Sequence, residues 1–264
     1  MDLQLSGKKA LVTGSTAGIG LAIGAALAAE GAAVVLNGRT RPRVDAALKQ
    51  LLSKLPGASV TGVALDLGTA AGAARLFEEL PDLDILVNNL GIFKPTPFDQ
   101  ITDEEWQQFF DVNVMSGVRL SRFYLPKMLA KNWGRIVFIS SESALNVPSE
   151  MIHYGLTKTA QLVVARGLAE TTAGTGVTVN SVLPGPTRSE GVETYVQNLA
   201  NAQNLSAAEV EAAFFKQARP TSLLRRFAEP EEVAATVAFL CSPLASVTNG
   251  ASVRAEGGLL RHFG

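Results

Sequence analysis

Tyr154-Gly-Leu-Thr-Lys158 pairs a weak acid with a cation at a spacing that could do proton chemistry. The apolar run 156–168 reads as a helix, so Tyr154 and Lys158, four apart, share one face. A free phenol titrates at about 10 and is a poor acid at neutral pH. An ammonium about 4 Å away is worth on the order of 4 kcal/mol at an effective dielectric of about 20. That is enough to lower the phenol by about two to three pKa units. Two residues alone also describe an ordinary surface helix, so the pattern needs elements around it that build a site.

The first such element lies near the start. Ala10-Leu11-Val12 is a short buried strand, Thr13-Gly14-Ser15-Thr16-Ala17-Gly18-Ile19-Gly20 a glycine-rich turn, 21–30 a helix and 33–36 a second strand. Glycines placed there allow a tight turn and let a pyrophosphate approach backbone N–H groups at a helix N-terminus. Strand and helix patterns then alternate: helices over 43–55, 69–80, 103–131, 154–172 and 230–240, strands over 59–65, 85–87, 135–139, 177–183 and 251–253. Seven strands alternating with helices predict an α/β fold, an open parallel sheet covered on both faces. Gly14, Asn37, Asp66, Asn88, Ser141 and Thr187 all fall at strand C-terminal ends, where doubly wound sheets bind ligands.

Composition narrows the function classes. The 264 residues carry 47% hydrophobic and 18% charged side chains, which fits a well-buried globule and argues against disorder. A net charge of −1 offers no basic surface for nucleic acid. Cys241 is the lone cysteine, and His153 and His262 are the only histidines, so neither a disulfide nor a metal site is expected. The start lacks signal-peptide architecture, and the longest apolar stretch, 21–36, is split by Glu30-Gly31. The expectation is a soluble cytoplasmic protein with no membrane span.

Thr13-Gly14-x3-Gly18-x-Gly20, Asp66, Asn88-Asn89-Leu90-Gly91, Asn113, Ser141, Tyr154-x3-Lys158 and Pro184-Gly185, in this order, resemble the short-chain dehydrogenase/reductase family. The resemblance runs over about residues 6–258 and is similar to its 3-oxoacyl-[acyl-carrier-protein] reductases. It implies a single Rossmann domain over 1–264 and an NAD(P)-dependent oxidoreductase that reduces a carbonyl, or oxidises an alcohol, by hydride transfer. Tyr154 would exchange the proton and Ser141 would hydrogen-bond the same substrate oxygen. Lys158 would lower the phenol's pKa and bind the nicotinamide ribose, and Asn113 would hold a water linking Lys158 to solvent. Gly14, Ser15, Thr16, Gly18, Ile19 and Gly20 would meet the cofactor at the turn. Asp66 would meet adenine, Asn88 the adenosine-side ribose region and Thr187 the carboxamide, with Leu67, Gly91, Pro184 and Gly185 also against the cofactor. A non-catalytic dinucleotide-binding regulator is the competing reading, weakened by the intact Tyr-x3-Lys pair; an NAD-dependent 3-hydroxyacid or alcohol dehydrogenase is another.

Three positions depart from the family pattern: Leu90 for a small alanine, Ala17 for a basic residue, and Arg254-Ala255-Glu256-Gly257-Gly258 for the usual ending. His153 should point about 100° from Tyr154 around the helix and pack instead of reacting. Residues 188–224 carry a capping box at Ser206-Ala207-Ala208-Glu209 and read as a lid of one or two short helices. Val196, Leu199, Val210, Phe214 and Phe215 would line its inner face for a substrate with apolar length. The helix from Tyr154 is apolar nearly all round, which predicts a dimer face with the 103–131 helix and, by the resemblance, a homotetramer. Leu36-Asn37-Gly38-Arg39-Thr40 has no carboxylate to select NAD. Arg39 and Thr40 suit a 2′-phosphate, so NADP(H) is favoured and NAD(H) not excluded.

Overall fold

Strand side chains alternate between two apolar clusters. In the computed structural model, which describes residues 2–261, Ala10 and Val12 face one cluster and Leu11 the other. Val137 and Ile139 likewise oppose Ile136 and Phe138. Strands buried on both sides belong in a parallel sheet with helices on each face. The strands are β1 (Lys9–Val12), β2 (Ala33–Gly38), β3 (Val60–Ala64), β4 (Ile85–Asn88), β5 (Gly134–Ile139), β6 (Val177–Pro184) and β7 (Ser252–Ala255). All pair in parallel in the order β3-β2-β1-β4-β5-β6-β7, the doubly wound sheet expected. The order reverses between β1 and β4, which opens a crevice at their C-terminal ends. His262 lies outside the described residues.

In chain order the helices are α1 (Gly18–Ala29), α2 (Arg41–Lys54), α3 (Ala70–Glu79), α4 (Asp103–Phe110), α5 (Ser116–Ala130), α6 (Ile152–Glu170), α7 (Glu190–Gln203), α8 (Ala207–Gln217) and α9 (Pro230–Cys241). Ile23 and Leu27 of α1, Leu51 of α2 and Val237 of α9 fill the first cluster. Leu76 of α3, Leu120 and Tyr124 of α5 and Ala165 of α6 fill the second. Among the described residues no helix is long and apolar enough to cross a membrane, and no group of His, Cys, Asp or Glu could hold a metal.

Two features differ from the sequence expectation. The predicted helix over 103–131 is broken by a π-helical turn, Asp111–Met115, which carries Asn113. The 188–224 insertion does form two helices, and Ser206 and Glu209 make the predicted capping box. Its apolar side chains pack on one another, however. Val196, Val210 and Phe215 are buried with Phe227, and Leu199 and Phe214 pack against them, so the insertion has a small core of its own. Phe214 stacks on Phe227 with ring centroids 5.2 Å apart. Two helices of 14 and 11 residues are marginal alone, and burying these side chains against one another stabilises the pair.

The altered C-terminal motif is knitted into the same region. Arg254 Nε donates to Glu256 Oε1 at 2.8 Å, and Glu256 Oε2 accepts from the backbone N–H groups of Leu259 and Leu260. The Gly257 carbonyl accepts from Leu223 and Leu224 at the end of the insertion, both at 2.9 Å.

Candidate active site

The glycine-rich turn is held from three sides. Gly14 adopts φ +58°, which L side chains rarely tolerate. A Cβ on Gly20 would come 2.5 Å from Asn89 Nδ2 and 2.6 Å from the Gly14 carbonyl, so only glycine lets α1 start this close. Asn89 Nδ2 donates to the Thr13 and Gly14 carbonyls at 2.9 Å each. Thr13 Oγ1 accepts from the Asn89 and Leu90 N–H groups, which fixes the loop where Leu90 replaces alanine. Asn37 Oδ1 accepts from Gly14 N at 3.1 Å, and its amide donates to the Leu65 carbonyl at 3.0 Å, tying the turn to β2 and the end of β3.

Ser15 closes the turn: its N–H donates to the Asn37 carbonyl and its hydroxyl to the Val12 carbonyl. Gly18, Ile19 and Gly20 open α1, whose N-cap residue Ala17 supplies no side-chain cap. The first-turn N–H groups therefore remain for an anion. Asp66 is exposed at the rim, and its Oδ1 accepts from Gly68 N at 3.0 Å. Leu67 has a fully buried side chain and offers only backbone. Asn88 is buried, gives its amide to Ser121 Oγ at 3.3 Å, and keeps Oδ1 without a partner. Thr187 Oγ1 donates to the Gly185 carbonyl at 2.9 Å, beside Pro184 at the end of β6. The left-handed turn, the uncapped helix start and the orphaned Asn88 oxygen fit a dinucleotide: Thr16 to Gly20 would hold its phosphates, Asn88 and Gly91 its ribose side.

The proton-bearing residues sit on the far lip of the crevice. Ser141 follows β5, and its hydroxyl accepts from Ser143 N at 3.1 Å. Lys158, 4% exposed, donates from Nζ to the Ile139 carbonyl at 2.9 Å and to Gln161 Oε1 at 3.3 Å, and lies 5.6 Å from the Tyr154 ring centroid. Asn113 is buried in the π-helical turn. Its side chain accepts from Ile92 N at 2.7 Å and donates to Ile92 O and Thr157 Oγ1, both at 3.0 Å. Its carbonyl accepts from Gln161 Nε2 at 2.5 Å. The structure thus brings all four expected residues together, and the Gln161 side chain links the Asn113 carbonyl to Lys158 Nζ.

The phenol's acidity also differs from expectation. Burial pushes Tyr154 up to about 12, against the pull of Ser141's hydrogen bond and with the nearby Glu142 charge adding to the rise. Burial pulls Lys158 down to about 7. An ammonium drawn toward its neutral form and held by other acceptors does not lower the phenol. At neutral pH Tyr154 is accordingly a protonated donor.

Sequence reasoning missed several neighbours. Ser140 Oγ donates to the Lys158 carbonyl at 2.8 Å and pins β5 to α6. Glu142 is buried, pairs with Arg219 at 3.1 Å, and keeps Oε2 without a partner; burial raises its pKa while Arg219 lowers it. Gln161 had a visible signal: it is the polar residue three after Lys158 and seven after Tyr154, on their face of the helix. His153 packs as expected, fully buried 4.0 Å from the Phe109 ring and 3.6 Å from Glu105.

The short chain dehydrogenase family model matches residues 8–200. The Bacillus subtilis oxidoreductase YvaG is 52% identical over 261 residues, covering 99% of both chains. The Aquifex aeolicus 3-oxoacyl-[acyl-carrier-protein] reductase FabG is 33% identical over 98% of this chain and 100% of its own. Among solved structures, L-sorbose reductase from Gluconobacter frateurii, complexed with NADPH and L-sorbose, superposes with a TM-score of 0.92 at 31% identity and covers all of both chains. The chain belongs to the short-chain dehydrogenase/reductase family, NAD(P)-dependent oxidoreductases acting on CH–OH and C=O groups.

Proposed function

We propose that the chain is a carbonyl reductase that favours NADPH, with Tyr154 as proton donor, acting on a small ketone that carries an apolar substituent. The carrying observation is the Ser141–Tyr154–Lys158 cluster at the C-terminal end of β5, with Lys158 Nζ donating to the Ile139 carbonyl. When bound, the nicotinamide supplies the hydride. Ser141 and Tyr154 hold the substrate oxygen where negative charge develops, and Tyr154 donates its proton there. Lys158 sets its amine, partly protonated near pH 7, 5.6 Å from the phenol ring centroid. The rim supports an apolar substituent: Phe93 stands edge-on to Tyr154 at 6.3 Å, and Leu145 and Val147 are exposed between Ser141 and Tyr154. A 3-oxoacyl thioester is one ketone of that kind, in line with the FabG relative.

NADPH preference is supported by the end of β2. A Cβ at Gly38 would lie 2.4 Å from Thr16 Cγ2, so no carboxylate stands there. Arg41 pairs with Asp45 and Arg43 with Glu190, while Arg39 is exposed with no partner among the described residues. We also propose that a second copy of the chain packs against α6, where Val163 is exposed. A panel of ketones and 3-oxoacyl thioesters, followed by nicotinamide absorbance, tests the reading. Tyr154→Phe should retain cofactor binding and lose about 10²-fold or more in turnover on any confirmed substrate. Near-native turnover would sink the mechanism, and a silent panel would favour the non-catalytic regulator.

A further inference from the structure

We infer that Gln161 is a positioning residue for proton transfer, its amide clamping the Lys158 ammonium to the Asn113 carbonyl. The orientation of that amide is forced. A backbone carbonyl can only accept, so Nε2 must face Asn113, where it lies at 2.5 Å. Oε1 is then left facing Lys158 Nζ at 3.3 Å, and an acceptor there favours the protonated amine. Gln161 is 1% exposed, so the clamp works where water screens little. The π-helical turn belongs to the same device, because it presents the Asn113 carbonyl to α6.

Few other groups act on the ammonium. Its own helix contributes Tyr154, and β5 contributes the Ile139 carbonyl. The loop after β5 contributes Ser141 and Glu142; the latter is paired with Arg219 and bears on Tyr154. The α4–α5 connection contributes only the neutral Asn113, and Gly91 brings no side chain. Among the described residues no carboxylate bonds Nζ, so burial works against the charge and Gln161 is the one side chain that accepts a hydrogen bond from it. On this inference Gln161 sets how much of Lys158 is charged beside the phenol at neutral pH. It rests on the functional reading only in giving that charge a purpose.

The test is a 13C NMR titration of lysine Cε in the cofactor-free protein, with Lys158→Ala identifying the resonance. The wild-type midpoint should lie near 7. Gln161→Leu, which keeps the volume and removes both bonds, should lower it by about one pH unit, the effect of one hydrogen bond to a charged group. Gln161→Ala leaves room for a water of about 30 Å3, which can rejoin Nζ to the carbonyl, so its shift should be smaller than that of Leu. A merely structural glutamine predicts the reverse order, with Ala the more damaging. Gln161→Met carries the Leu prediction should that variant not fold. An unmoved midpoint in the apolar variants, or a larger shift in Ala than in Leu, overturns the inference. The titration uses no substrate, so its outcome is independent of whether a ketone panel finds turnover.

Discussion

A lysine held 4% exposed binds its proton less firmly than it would in the unfolded chain. With Lys158 at about 7 folded and 10.5 as its ordinary value, the unfolded chain binds more protons between those limits. Stability therefore rises with pH across that window and carries the full cost of the buried charge below it. Chemical denaturation of wild type and Lys158→Met from pH 6 to pH 9.5 should show wild type gaining on the variant above about 7, by up to about 1.4 kcal/mol per pH unit. A flat difference would mean that Lys158 stays charged throughout. Arg39 is the second residue whose charge decides something. One exposed charge-assisted contact is worth about ten- to a hundred-fold in affinity. Titrating NADPH and NADH into wild type and Arg39→Ala should show the NADPH preference collapse in the variant. An unchanged ratio would assign the 2′-phosphate to other groups.

At the scale of elements, what could be read from the sequence depended on how local its cause was. The strands, the glycine-rich turn and the Ser206–Glu209 capping box follow from periodicity and short spacings, and each appears where expected. The π-helical turn does not show, because α and π registers differ by one residue of hydrogen-bond offset and suit the same side chains. Its cause is distant in sequence: Ile92, Thr157 and Gln161 hold Asn113 there. Which way Phe214 and Phe215 point was illegible for a similar reason, since Phe227 supplies their partner from beyond the insertion. Removing a buried phenylalanine costs about 3–5 kcal/mol, more than two short helices hold alone. Phe215→Ala should therefore release α7 and α8 locally. Hydrogen exchange should quicken over residues 190–217 while the strand amides of β1 to β6 keep their protection. Uniform loss of protection would show that the insertion is no separate unit.

For the whole molecule, the decisive surface is the outer side of α6. Leu156 is 48% exposed and Val163 69% exposed on this helix. Covering them with a second copy is the cheapest way to remove them from water. Light scattering should give a mass of at least twice 27.8 kDa at micromolar concentration, and Val163→Asp should shift it toward the single chain. A wild-type monomer would refute the assembly. Helix α6 is also the helix that carries Tyr154 and Lys158, so one rod would serve both the seam and the chemistry. Its alignment would then be a property of the pair. Turnover per chain would fall as the protein is diluted through the dissociation range, and would recover on reconcentration.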